Sequence, residues 1–168
     1  INQSIKYIIM SLQKEDDGDN NWGMHYLVCV DESSFSLNAF HFVVKQLSKV
    51  NDSITVLHVC HHIDTPIIDP LGDTLDKVAN IEEKELAQKL KNTYETEFRL
   101  IKTKVLHCKY ITAIGKDTTG TIMSSIDQIK PDIVAVGSRG VSGLQRLMLG
   151  STSQYLVDHL TIPVIIVP

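Results

Sequence analysis

Three glycines and a cluster of hydroxyl side chains carry the strongest chemical signal in the sequence: Gly137-Ser138-Arg139-Gly140 and, after nine intervening residues, Gly150-Ser151-Thr152. Glycines behind a buried strand let a ligand approach the main chain without meeting a Cβ, and they open φ values that other residues avoid. Gly150 leads into an expected helix. Its first N–H groups lack intrahelical partners, and its dipole favours an anion. The hydroxyls of Ser151 and Thr152 add donors there, so a phosphate chain lying across this loop would meet main-chain N–H groups at both ends. Two glycines after a strand make, by themselves, only a plain turn.

Asp31 is the second candidate. A carboxylate at the end of a first strand can accept hydrogen bonds from both hydroxyls of a ribose. It can equally serve the unpaired N–H groups at the start of the following helix, and the sequence leaves both roles open. His58, Cys60, His61 and His62 crowd the end of another strand and raise the question of a metal. Strand alternation puts His58, Cys60 and His62 on one face and His61 on the other.

Catalytic patterns are missing. Lys116 follows Gly115, but no glycine stands five places before Gly115 and Asp117 replaces the Ser or Thr of a P-loop. There is no GxSxG nucleophile turn, and the HxGH and SGGxDS elements of adenylyl-transferring and ATP-activating folds do not occur; DESSFS at Asp31 lacks the glycines of the latter.

Five apolar runs must position these groups: HYLVCVD from His25, SITVLHVC from Ser53 to Cys60, TKVLHCKYIT from Thr103 to Thr112, DIVAVG from Asp132 to Gly137, and the closing PVIIV. Helical patterns alternate with them. Ser33 or Ser34 offers an N-cap for a helix with Leu37, Phe40, Val44 and Leu47 on its apolar stripe. After a loop with Pro66, Pro70 and Gly72 as breakers, residues 73–99 place Leu86, Leu90 and Tyr94 on one face. Asp117 can cap a helix carrying Ile122, Ile126 and Ile129, which Pro131 ends. The last helix runs from Ser151 to Leu160. The alternation predicts an α/β fold: a doubly wound, five-stranded parallel sheet with helices on both faces, Rossmann-like, with ligands beyond the carboxyl ends of the strands where strand order reverses.

Residues 5–12, IKYIIMSL, form an apolar run of ambiguous type, and the acidic stretch 14–21, KEDDGDNN, reads as a connector. The expected organisation is an N-terminal extension and connector over 1–23 and one domain over 24–168. At 168 residues, a single fold should bury roughly 70% of the extended chain's surface, enough for one sizeable core. A net charge of −4 argues against a general nucleic-acid binder, which usually gathers a basic excess. No apolar run approaches the roughly 20 residues of a spanning helix, so no membrane partner is expected. Cys29, Cys60 and Cys108 are an odd number without CxxC spacing and read as reduced core cysteines. The sequence begins at Ile1 rather than methionine, which leaves a targeting segment upstream open; a cytoplasmic location is the default expectation.

The segment Gly137-x2-Gly140-x9-Gly150-Ser151 matches the ATP-binding signature of the universal stress protein family, and from about His25 to Val167 the chain resembles that family. The strand ending in Asp31, the LHV tripeptide at Leu57–Val59, Gly115 before a helix and the closing PVIIV all belong to the likeness. It implies that Asp31 contacts ribose, that Cys29, Val30, Val59 and Val136 line the adenine pocket, and that Gly137, Gly140, Gly150, Ser151 and Thr152 hold ribose and phosphates. Arg139, where the family commonly has His or Arg, would lie near the phosphate charge. The cofactor implied is ATP, or AMP or ADP, with or without Mg2+. The resemblance also implies no metal at His58, and a homodimer through Pro163–Val167, the strand expected at a sheet edge. Residues 1–23 depart from the family pattern. Binding rather than catalysis is the expected activity, that of a nucleotide-dependent stress-response module. A slow ATPase using the same loop, and a structural dimer module with an empty pocket, are the alternatives.

Overall fold

The computed structural model describes residues 23–61, 72–101, 107–140 and 149–168. The apolar run 5–12, the connector 14–21, His62, Pro66, Pro70 and the first residues of the expected third strand lie outside them. The described elements are β1 (His25–Val30), α1 (Ser34–Phe42), β2 (Ser53–His61), α2 (Gly72–Ile101), β3 (His107–Gly115), α3 (Thr118–Ile129), β4 (Ile133–Gly137), α4 (Ser151–His159) and β5 (Val164–Val167). All strand pairs are parallel. The sheet order is β3-β2-β1-β4-β5, so winding reverses between β1 and β4. This is the doubly wound α/β fold that the alternating runs predict.

Period-two alternation divides the core between the two faces. Tyr26, Val28 and Val30 of β1 join Phe40, Val43 and Val44 and the α2 residues Leu90 and Tyr94 on one side. Leu27 and Cys29 join Leu57, Ile122, Ile126, Val134, Val136 and Leu156 on the other. Phe40 and Leu27 are wholly buried, each contributing roughly 1.5–3 kcal/mol from burial alone. Tyr94 meets Phe40 edge-on at 5.3 Å between ring centroids, fixing α2 against α1.

Caps set the helix boundaries. The Ser33 side chain accepts from Ser36 N and starts α1. Asp117 accepts from Gly120 N at 2.6 Å and starts α3, which ends where Lys130 takes a left-handed φ of 49° before Pro131. Helix α1 runs on into a π-helical turn over Val43–Leu47, closed by Ser48 N donating to Val43 O at 2.8 Å. Val43 and Val44 both join the core beside Phe40, where the sequence stripe named only Val44 of the two.

Several boundaries differ from the sequence reading. Strand β3 continues past Thr112 to Gly115, because Ala113, Ile114 and Gly115 pair with Val59, Cys60 and His61 of the long β2. Asp132 is not in β4; its N donates to His25 O and its Oδ2 accepts from His25 N, so it fastens the start of β1. Gly72, expected as a loop breaker, is the first residue of α2. No helix among the described residues is long and apolar enough to cross a membrane.

Candidate functional site

A cavity of about 360 Å³ opens beyond the carboxyl ends of β2, β1 and β4, beside the starts of α1, α3 and α4. It lies at the reversal of strand order, where open α/β sheets hold ligands. All eleven residues singled out from the sequence line it: Cys29, Val30 and Asp31 after β1, Val59 from β2, Val136, Gly137, Arg139 and Gly140 at the end of β4, and Gly150, Ser151 and Thr152 entering α4.

Of the two roles that the sequence left open, Asp31 takes the helix-start role with one carboxylate oxygen. Its Oδ1 accepts from Ser33 N at 3.0 Å and from the Ser33 hydroxyl, which orders the first turn of α1. Its Oδ2 faces Gly140 across the cavity, 2.7 Å from where a Cβ on that glycine would stand. One oxygen is structural and the other is presented to the cavity. Ser36, buried beneath, donates to Asp31 O at 2.8 Å and to Ser33 O at 2.9 Å and keeps this corner rigid.

Gly137 and Gly140 are there for space, not for φ: none of the three glycines lies in the left-handed region, and a Cβ on Gly150 would meet its nearest neighbours only at 3.4 Å, an ordinary contact. A Cβ on Gly137 would sit 2.7 Å from the Phe35 carbonyl carbon, so this glycine admits α1 against the end of β4. Gly140 leaves room for Asp31. Gly150, extended at φ −62° and ψ 148°, caps α4 with no side-chain hydrogen bond. Its N donates to Ser138 O at 2.8 Å, closing the loop, while Ser153 Oγ donates to Gly137 O at 2.7 Å and ties α4 to β4. The start of α4, at Ser151 and Thr152, carries N–H groups without intrahelical partners, of the kind that can receive an anion. Arg139 lies with its guanidinium carbon 5.5 Å from the Phe35 ring centroid, a cation–π distance.

The opposite wall is apolar. Cys29, Leu57, Ile122 and Val136 belong to the core on the α3–α4 side, with Val59 packed against it. Burial pushes the Cys29 thiol up to about 12, so it is a neutral, apolar surface. His58 is buried, and burial holds its imidazole below the usual 6.5 despite the nearby Asp31 carboxylate. Its Nδ1 is 3.6 Å from Cys60 Sγ, the same-face neighbour that alternation places there.

Seven further residues that the sequence reading did not assign to a nucleotide site line the cavity: Ser36, Leu57, His58, His61, Thr118, Ile122 and Ser153. His61 and Thr118 are joined, Thr118 Oγ1 to His61 Nε2 at 3.1 Å, across the gap between β2 and α3. Among the described residues, no three His, Cys, Asp or Glu side chains gather as a metal site would require.

Comparison with known proteins agrees with this arrangement at the level of the fold. The model of the universal stress protein family matches residues 24–168. An uncharacterized protein of Schizosaccharomyces pombe is 29% identical over 143 residues, covering 84% of this chain but 22% of that protein, so the chain spans under a quarter of that relative. Universal stress protein YxiE of Bacillus subtilis is 29% identical over 147 residues, covering 84% of this chain and 96% of its own. The structure of universal stress protein UspA from Lactobacillus plantarum superposes with a TM-score of 0.68 at 23% identity, over 89% of this chain and 100% of the other. A universal stress protein family protein from Arabidopsis thaliana, solved with AMP bound, superposes with a TM-score of 0.60 at 19% identity, over 86% and 91%.

Proposed function

The chain belongs to the universal stress protein family, and on that premise we propose that it binds an adenine nucleotide, ATP with AMP or ADP as occupants of the same seat, and acts as a nucleotide-dependent stress-response or signalling module. One observation carries the reading: the glycine loop, the strand-end carboxylate and the apolar strand residues, far apart in sequence, line a single cavity. The AMP-bound Arabidopsis relative supports the choice of an adenine nucleotide.

In this reading the ligand lies across the strand ends. Its phosphates take the start of α4, with Gly140 and Gly150 beneath them, Ser151 and Thr152 as donors and Arg139 near their charge. Its ribose hydroxyls donate to Asp31 Oδ2, and its base lies against Cys29, Val59 and Val136. Mg2+, where it binds, enters as the counter-ion of a triphosphate. The groups around the phosphate seat are donors and a fixed cation, which hold charge rather than move a proton, so binding is the activity we assign.

Native mass spectrometry of gently purified protein, followed by calorimetric titration with ATP, tests this. A retained or titrated adenine nucleotide at one site per chain is expected. Protein that carries none and takes up none would leave only a structural role for the cavity.

A further inference from the structure

The close approach that Gly137 permits is to Phe35, the second residue of α1, whose carbonyl carbon and Cβ would stand 2.7 and 2.8 Å from a Cβ on the glycine. Hydrogen bonds on either side fix the main chain there: Ser33 caps the helix, and Ser36 Oγ donates to Asp31 O and Ser33 O. Phe35 is thus seated against the end of β4. Its ring lies 5.5 Å from the guanidinium carbon of Arg139, two residues beyond Gly137. Arg139 in turn stands beside the start of α4: a Cβ on Gly150 would be 3.4 Å from Arg139 Cα, and Gly150 N donates to O of the preceding Ser138. Among the described residues that line the cavity, Arg139 is one and Phe35 is not. A side chain that does not reach the ligand can act on it only through its neighbours.

We propose that Phe35 is a positioning residue for the phosphate end of the site: its ring holds the Arg139 guanidinium beside the start of α4, so that the arginine meets the nucleotide's phosphates already oriented. The proposal rests on the nucleotide-binding reading above. An arginine side chain has many rotamers, and ordering them at the moment of binding subtracts from affinity. An aromatic face within about 6 Å attracts the cation and narrows those rotamers beforehand. The two contacts use different properties of the group, since the ring attracts its charge whereas phosphate oxygens accept from its N–H donors. An apolar side chain without a ring would fill the same space and keep α1 packed, but would not attract the cation. Packing and positioning are therefore separable by substitution at this one residue.

The experiment is calorimetric titration of the intact chain with ATP in a double-mutant cycle of Phe35→Leu and Arg139→Gln. Phe35→Leu should lose about two- to fivefold of the ATP affinity, the worth of one exposed cation–π contact. Arg139→Gln should lose at least as much, and the double variant should bind no more weakly than Arg139→Gln alone. Phe35→Tyr, which keeps the ring, should hold the wild-type affinity. Should Phe35→Leu lack a native circular dichroism spectrum, Phe35→Met, also apolar and without a ring, takes its place in the cycle. Losses that add would assign Phe35 to packing of α1 alone and overturn the inference. So would a ringless variant as tight as wild type, a Phe35→Tyr variant as weak as the ringless one, or an Arg139→Gln variant with no loss, each of which leaves the nucleotide site standing. A wild type that takes up no ATP removes both.

Discussion

Asp31 and Gly140 come so close that a methyl group on the glycine would stand 2.7 Å from Asp31 Oδ2. That spacing is shorter than a carbon and a carboxylate oxygen tolerate, and it joins the ribose and phosphate ends of the proposed site at one point. Gly140→Val is therefore expected to abolish ATP binding by calorimetry while circular dichroism stays native, because the branched side chain fills the ligand's approach and displaces Asp31. The smaller Gly140→Ala should lose at least about tenfold, a loss of 1.4 kcal/mol or more. In a double-mutant cycle with Asp31→Ala the two losses should not add. Additive losses would separate the two residues functionally.

Asp31→Ala should weaken ATP by roughly tenfold or more, since a hydrogen bond to a charged group contributes about 1.5–3 kcal/mol. The 2′,3′-dideoxy analogue has no hydroxyls to offer Oδ2 and should lose far less. Because Oδ1 also orders Ser33, some loss of thermal stability is expected as well. Equal losses for both ligands would assign Asp31 wholly to the α1 start.

The glycine at the end of β4 should behave differently from the other two. Gly137→Ala places a Cβ 2.7 Å from backbone of Phe35, which can move only by pushing α1 away from β4. We expect about 1–3 kcal/mol of destabilisation in urea unfolding, the usual cost of overpacking. Without nucleotide present the loss should be undiminished, and a variant as stable as wild type would contradict the packing role.

The site's skeleton was legible in the sequence because its parts are local: a glycine spacing, an acid behind an apolar run, hydroxyls at a helix start. Thr118, His61 and Ile122 were not, since they reach the cavity only through the packing of α3 over β2, which no local pattern encodes. His58 was weighed as a metal ligand when its partner is Cys60 on the same strand face. The last residues of β3 were missed for a similar reason, since Ala113–Gly115 are strand only by pairing with Val59–His61. Val43 escaped because the stripe was drawn from Phe40 to Val44 alone, although the i+3 position shares that face.

His58 gives the fold a pH dependence of definite sign. Burial depresses its pKa below the unfolded value of 6.5, so between the two values the unfolded chain binds more protons and stability rises with pH. Stability should be fully present above about 6.5 and should decline as pH falls below it. Urea unfolding at pH 7.5 and 5.5 checks this, and His58→Gln should flatten the difference. Asp117, also depressed, acts only below its ordinary 3.8 and does not enter that window. A wild type equally stable at both pH values would refute the account.

Assembly is expected through β5. The described sheet ends in β3 on one side and β5 on the other; β3 carries Lys109, a charge of the kind that discourages edge pairing, whereas Val164–Val167 carries none. Val134 N donates to Pro163 O and Ser138 N to Val167 O, so in a parallel ladder the odd-numbered residues of β5 face β4 and the N–H and C=O groups of Val164 and Ile166 point outward. A two-fold axis would let this edge meet its copy, giving a homodimer through Pro163–Val167. Sedimentation should find a dimer for wild type at tens of micromolar. Ile166→Pro removes an outward N–H without touching the bonds to β4 and should yield monomers, as should Ile165→Lys, which sets a charge in the pairing strand. Both variants need native circular dichroism, because Ile165 and Ile166 also pack against the two cores. A wild-type monomer would refute the dimer, and a dimer indifferent to both substitutions would move the interface off this edge.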